Sequence, residues 1–233
     1  ALQYSYLTSW LSLLVEPGYG KEAARALFRK VYEHWRQMPR DARPALYLYG
    51  LSLGALNSDL SFDMFDIVGD PFQGILWSGP PFQSRTWRAA TAEREPGSPA
   101  WLPRFRDGSV IRFTSQKDAL DIPGASWGPI RIVYLQYASD PVTFFDFSAL
   151  FRRPPWMVGP RGPDVSPMLQ WYPVVTLLQL ALDMAAATTA PIGYGHSYAP
   201  EHHVDPWVAV TRPPGWDAPA LERLKRKLAE RRD

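Results

Sequence analysis

Cysteine is absent from the 233 residues. Disulfides, thiolate zinc sites, iron–sulfur clusters and cysteine nucleophiles are therefore excluded. Charge of one sign is also scarce: 25 basic residues face 23 acidic ones, a net charge of +2. That balance is too even for an electrostatic grip on DNA or RNA, which excludes nucleic acid as a partner. Long hydrophobic runs are lacking as well. The most apolar stretch, Val174 to Ala187, is interrupted by Gln179 and Asp183 and falls short of the roughly 20 apolar residues that a spanning helix needs. There is no initiator methionine and no signal-peptide pattern at the start, where Ala1 to Leu7 has the character of the middle of a strand. The expectation is that the chain is a fragment or a processed piece.

What is present, 46% hydrophobic and 21% charged residues with 24 scattered prolines, is the make-up of a folded globular chain, expected as one domain over 1–233. Apolar residues at Ala24, Leu27, Phe28, Val31, Trp35 and Met38 follow a 3.6-residue period and predict an amphipathic helix over Tyr19 to Met38, stopped by Pro39. The short apolar run Ala45 to Tyr49 predicts a buried strand, as do Gly74 to Trp77 and Arg131 to Tyr137. Together with Ala1 to Leu7 these suit an α/β architecture, a doubly wound and mostly parallel sheet with helical crossovers. Phe105 to Phe113, with Asp107-Gly108 at its turn, predicts a hairpin, part of an insertion or cap-like region over 83–128 beside the sheet. Ser166 to Thr188 predicts a second long helix, capped by Ser166-Pro167 and apolar enough to be buried. Leu221, Leu224 and Leu228 form one stripe on a charged C-terminal helix, expected to dock on the surface, with a basic membrane contact as the alternative.

The sharpest chemical signal is Gly50-Leu51-Ser52-Leu53-Gly54, a G-x-S-x-G pattern directly after a predicted strand. On a tight strand-to-helix turn a serine hydroxyl protrudes, and flanking glycines leave room for the chain to double back. A glycine-flanked turn with a structural serine is the plain alternative. A hydroxyl nucleophile needs a base, and the chain has four histidines. His34 has the position of a helix-surface residue. His196, in the glycine-loosened string Gly193-Tyr-Gly-His-Ser-Tyr198, is the preferred base. His202 and His203, with Glu201 and Asp205, lack convincing metal-ligand spacing, so no metal or cofactor is expected. Asp140 follows the Arg131 to Tyr137 strand and precedes the histidine, which suits the carboxylate that orients the imidazole; Asp146, Asp164 and Asp183 are its rivals. The Leu53 N–H would be one oxyanion donor. Leu51, Trp77, Ser78 and Arg85 are expected to line the substrate pocket. Trp87, Arg88 and the string Arg152 to Met157 add arginine-and-tryptophan patches suited to an anionic or lipid-like acyl substrate.

On Leu2 to Leu7, Tyr47 to Gly54, Leu76 to Phe82, Tyr134 to Pro141 and Gly193 to His196, the chain resembles a bacterial family of alpha/beta hydrolases in which such a domain follows a multi-spanning membrane segment. Leu51 departs from it, standing where relatives carry an acidic residue. The resemblance implies a serine hydrolase of the ester or thioester type with Ser52, His196 and Asp140 as its triad. It also implies association with the bacterial inner membrane through an upstream membrane domain. The strand and loop that supply the second oxyanion donor in this fold would precede Ala1, so an upstream segment or a second chain is expected to complete the sheet and the oxyanion hole. A non-catalytic binding or assembly module of the same fold, or an acyltransferase with the same triad, are the competing expectations.

Overall fold

The computed structural model describes residues 20–231 together with Val15; the strand expected at Ala1 to Leu7 lies outside the described residues. Helix α1 (Lys21–Gln37) is followed by strand β1 (Tyr47–Leu51), helix α2 (Leu53–Asp59), strand β2 (Gly74–Ser78), helix α3 (Arg85–Ala92), strand β3 (Ile111–Thr114) and strand β4 (Arg131–Leu135). Helices α4 (Val175–Ala185), α5 (Val204–Thr211) and α6 (Ala218–Glu230) complete the regular elements used below. The four strands pair in the order β1-β2-β4-β3, and every pairing is parallel. Parallel strands need crossover connections and bury both faces. That is why β2 (GILWS) and β4 (RIVYL) are buried at every position.

Strand alternation divides the core in two. Ile75, Trp77, Ile132, Tyr134, Ile111 and Phe113 face one cluster, shared with Phe28, Tyr32 and Trp35 of α1 and Trp87 of α3. Leu76, Val133 and Leu135 face the other, against Val210 of α5. Helix α1 seats its aromatic stripe through stacked and tilted contacts, Phe28 on Tyr32 (5.3 Å between ring centroids) and on Phe62 (5.1 Å). Of the expected strand, helix, strand opening, the helix and the strand after it thus stand on a doubly covered sheet whose carboxyl edges all point one way, the arrangement in which α/β folds place their ligands.

Several expectations are corrected. The Asp107-Gly108 turn forms, with Gly108 at φ +70° and the Ser109 N–H donating to Asp107. No hairpin follows from it. Ile111–Thr114 pairs in parallel with β4, and Phe105 makes only an isolated antiparallel bridge to Arg94. The apolar residues after the turn are an edge strand of the sheet, so this part of 83–128 lies in the sheet and not beside it. The helix expected from Ser166 begins only at Val175, because Pro173 offers no N–H for a helix interior and Val174 turns through φ +65°. Nor is it buried on most sides. Thr176, Leu180 and Met184 alone form its buried stripe, while Val175, Leu178 and Leu182 are 51%, 58% and 70% exposed. Helix α6 docks by its leucine stripe: Leu221, Leu224 and Leu228 share a groove with Val204, Trp207 and Val208 of α5, and Lys225 pairs with Asp205 at 2.7 Å. Among the described residues no helix is long and apolar enough to cross a membrane.

Candidate active site

Ser52 sits between the end of β1 and the start of α2 with φ 57° and ψ −124°. That is a conformation an L residue avoids, at a cost on the order of 1–3 kcal/mol. The surrounding structure enforces it. The Ser52 N–H donates to the Ser78 carbonyl (3.0 Å), tying the turn to the end of β2, and its own carbonyl accepts from Ala55 and Leu56 N–H at the first turn of α2. Gly50 is the steric condition for the turn: a Cβ there would overlap the backbone of Gly54 and Ala55, whereas one on Gly54 would meet nothing among the described residues. The two glycines of the pattern therefore differ, and only the first is required by packing. Leu53 opens α2, where the helix ladder provides its N–H with no acceptor. Leu51 is 42% exposed beside the serine.

Asp140 lies five residues beyond β4 and caps the one-turn helix Pro141–Phe144. Its Oδ1 accepts from the N–H groups of Val142 (2.8 Å) and Thr143 (3.4 Å). Its Oδ2 accepts from the Thr143 hydroxyl (3.1 Å), the Tyr198 hydroxyl (2.8 Å) and His196 Nδ1 (2.8 Å). The carboxylate is fully enclosed and the imidazole nearly so, at 0% and 8% side-chain exposure. A buried charge with this many donors is held in one orientation. His196 Nε2 is buried and has no hydrogen-bond partner among the described residues. Burial acts to lower the histidine's pKa, but the charge and hydrogen bond of Asp140 outweigh it, and the pKa stands above the ordinary 6.5. Tyr198, partly buried against Tyr137, has its hydroxyl pKa raised well above 10, chiefly by desolvation and then by the neighbouring Asp140 charge. It is a phenol that donates and stays neutral.

Ser52 and His196 flank the same stretch of backbone. Ser78 accepts from the Ser52 N–H, and the next residue, Gly79 (φ +53°), carries the histidine: a Cβ there would lie 2.9 Å from His196 Cε1 and 2.7 Å from the Tyr198 ring. A glycine is required by both conformation and space. The histidine loop is fixed on its other side by Ser139, whose Oγ accepts from the Gly195 N–H (2.9 Å) and donates to Asp164 (2.6 Å). Gln116 donates to Asp164 (2.9 Å) and to the Gly193 carbonyl (3.3 Å).

Of the rival carboxylates, Asp146 caps its own turn through Ser148, Asp164 serves Ser139 and Gln116, and Asp183 lies on α4. His34 is on the outer side of α1. His202 bonds the Tyr137 hydroxyl (2.6 Å) and His203 the Ala199 carbonyl (3.0 Å). Two expected pocket residues are placed otherwise. Trp77 is 1% exposed and packs on Tyr134 at 5.2 Å between ring centroids, because β2 is an interior strand buried on both faces. Arg85 turns its guanidinium to Asp63 at 2.6 Å. Ser78 is fully buried, and it contributes the carbonyl that anchors Ser52. Thr143, Tyr198, Ser139 and Gln116 carry no role in the sequence reading, and Asp164 figures there only as a rival carboxylate. Thr143 had a local signal, the Asp-Pro-Val-Thr capping pattern, and Tyr198 its place two residues after the histidine. The Ser139 set had none, since its members are 25 and 48 residues apart.

The sequence model of the alpha/beta-hydrolase family matches residues 1–224. No curated protein and no solved structure matches the chain significantly.

Proposed function

From the chain's membership of the alpha/beta-hydrolase family, we propose that it is a serine hydrolase of carboxylic esters or thioesters, working through Ser52, His196 and Asp140. The observation that carries this reading is the buried Asp140–His196 pair at 2.8 Å, with Nε2 of the same ring left without a partner among the described residues. A carboxylate at Nδ1 holds the proton there and leaves Nε2 as the basic nitrogen, on a ring whose Cε1 packs against Gly79, next to the Ser78 that anchors Ser52. Ser52 Oγ adds to the acyl carbonyl while Nε2 takes its proton. The tetrahedral oxyanion receives the Leu53 N–H, the imidazolium returns the proton to the leaving alcohol or thiol, and water repeats the sequence on the acyl-enzyme. Thr143 and Tyr198 donate to Asp140 and keep it oriented on the imidazole.

The backbone strain at Ser52 supports the same reading, since a conformation this costly persists where the surrounding packing imposes it on a residue with work to do. A fluorophosphonate probe tests it directly. Covalent capture of the wild-type chain that disappears in Ser52→Ala and His196→Ala, both still folded by circular dichroism, is the expected result. Capture that survives Ser52→Ala, or none by the folded wild type, rejects it. The association with a bacterial inner membrane through an upstream domain, implied by the resemblance to membrane-linked relatives, belongs to this proposal as well. It would be tested by fractionating cells that express the complete protein.

A further inference from the structure

A cavity of about 330 Å³ opens on the α3 face of the sheet, within the size range of small-molecule sites. Its wall is aromatic: Phe82, Trp87, Phe144, Phe145, Phe147 and Trp156, with Phe82, Phe145 and Phe147 in mutual tilted or edge contact. Two buried polar groups in this wall have no partner among the described residues, and an exposed arginine stands beside them. Trp156, 9% exposed, has its indole N–H buried without an acceptor, and so does the Thr91 hydroxyl. Arg88, one helical turn before Thr91 on α3, makes no side-chain hydrogen bond or ion pair among the described residues. A buried indole N–H lacking an acceptor costs about 1–3 kcal/mol. All three can donate, which calls for an acceptor of negative charge. The one carboxylate in the wall, Asp146, already accepts on both oxygens from Ser148, at 2.8 Å each.

The cavity adjoins the proposed triad through two links. Thr143, part of the wall, donates to Asp140. Gly79, against the His196 ring, is three residues from Phe82, so their Cα atoms are at most about 11 Å apart. The Phe82 N–H is fastened to the Val142 carbonyl at 3.0 Å, which fixes the wall relative to Asp140.

We propose that this cavity binds a carboxylate attached to an aromatic ring through a short chain, the ring among the phenylalanines and the carboxylate on Arg88 with the Trp156 N–H and Thr91 hydroxyl as further donors. The inference rests on the hydrolase reading only in taking the bound group to be part of the substrate. Its test is therefore binding, read in the full chain carrying Ser52→Ala. The probe is 3-phenylpropionate, followed by the indole N–H resonance of Trp156, itself assigned by its loss in Trp156→Phe. The expected result is a saturable shift of that resonance, with affinity reduced about tenfold for the neutral 3-phenylpropanamide and for Arg88→Ala. No shift up to the solubility limit overturns the proposal, as does a shift that the amide reproduces at equal affinity. Should Trp156→Phe fail to fold, the resonance is assigned by backbone-linked triple-resonance spectra, and the acid-versus-amide comparison in the Ser52→Ala chain decides. Because Ser52 is absent throughout, loss of esterase activity in the wild type rejects the hydrolase reading without touching this result.

Discussion

The serine turn and the histidine loop meet at Ser78 and Gly79 but are held in opposite ways. The turn is built from neighbours: β1 runs into Ser52, α2 starts at the next residue, and its internal hydrogen bonds span three or four positions. Strain at one residue is compensated by a strand and a helix that form anyway. The histidine loop has no regular structure of its own. Its position comes from Asp140 (56 residues away), Ser139 (56 from Gly195) and Gln116 (77 from Gly193). The proposed nucleophile on a local frame and the proposed base on a long-range one should respond differently to mutation, and the difference can be measured.

The largest effect is expected on the local side. Ser52→Ala should lower turnover of a short acyl ester by about 10⁴- to 10⁶-fold while leaving the melting temperature within a few degrees. Gly50→Ala should act through the fold, since its Cβ would overlap backbone and cannot be relieved by a rotamer change. A loss above about 3 kcal/mol in urea unfolding is expected. A Gly50→Ala chain of wild-type stability would show that the turn is not sterically fixed as described.

Next comes the carboxylate of the long-range frame. Asp140→Asn should reduce kcat by about 10⁴-fold, as an amide no longer fixes the proton on Nδ1. The pH dependence sharpens the point. His196 must be neutral to act as base, and Asp140 holds its pKa above 6.5, so wild-type kcat/KM should rise with pH through an inflection above 6.5. In the asparagine variant burial alone remains and should move the residual inflection below it. Stability runs the other way. A histidine whose folded pKa is raised gives stabilisation that is complete below its unfolded pKa and is lost as pH rises through the folded value. The wild type should therefore lose this contribution as it gains activity, and an unchanged inflection in Asp140→Asn would separate His196 from Asp140.

A smaller effect is expected from Ser139→Ala, which touches neither Ser52 nor His196. It removes the acceptor for the Gly195 N–H and the donor to Asp164. Turnover should drop by about tenfold, the scale of one lost hydrogen bond, and hydrogen exchange should accelerate at Gly195 and its neighbours but not at Ala55 or Leu56 of the turn. Equal acceleration in both segments would show that the two frames are not independent.

This contrast also explains what was legible in the sequence. The turn could be placed because glycine, serine and the preceding apolar strand are contiguous, so their physics is written in ten residues. β2 and β4 were placed for the same reason, as short apolar runs between turn residues. Asp140 and His196 could be nominated by order along the chain and by their flanking proline and glycines, but their 2.8 Å contact depends on Tyr198, Ser139 and Gly79, and pairings across 25 to 77 residues leave no local pattern. β3 was mistaken for a hairpin arm because an Asp-Gly turn looks the same whichever strand its far side joins. Helix α4 was placed too early because Pro173 was outweighed by the apolar run around it. Trp77 looks like a rim residue because a five-residue run does not reveal that β2 lies between β1 and β4, where both of its faces are buried.

The smallest effect concerns the second glycine of the turn, which the pattern suggests is as necessary as the first. Gly54 is the second residue of α2, its φ is not in the left-handed region, and a Cβ on it would meet no described atom. Gly54→Ala should then stabilise the chain by about 0.5–1 kcal/mol, because alanine loses less backbone entropy than glycine on entering a helix. Activity should stay within about twofold, since RT ln 2 is only ~0.4 kcal/mol. Urea unfolding and ester turnover on the same preparation measure both. Destabilisation comparable to that of Gly50→Ala would mean that the space beside Gly54 is filled in the working protein and that the local frame of Ser52 extends beyond β1, α2 and β2.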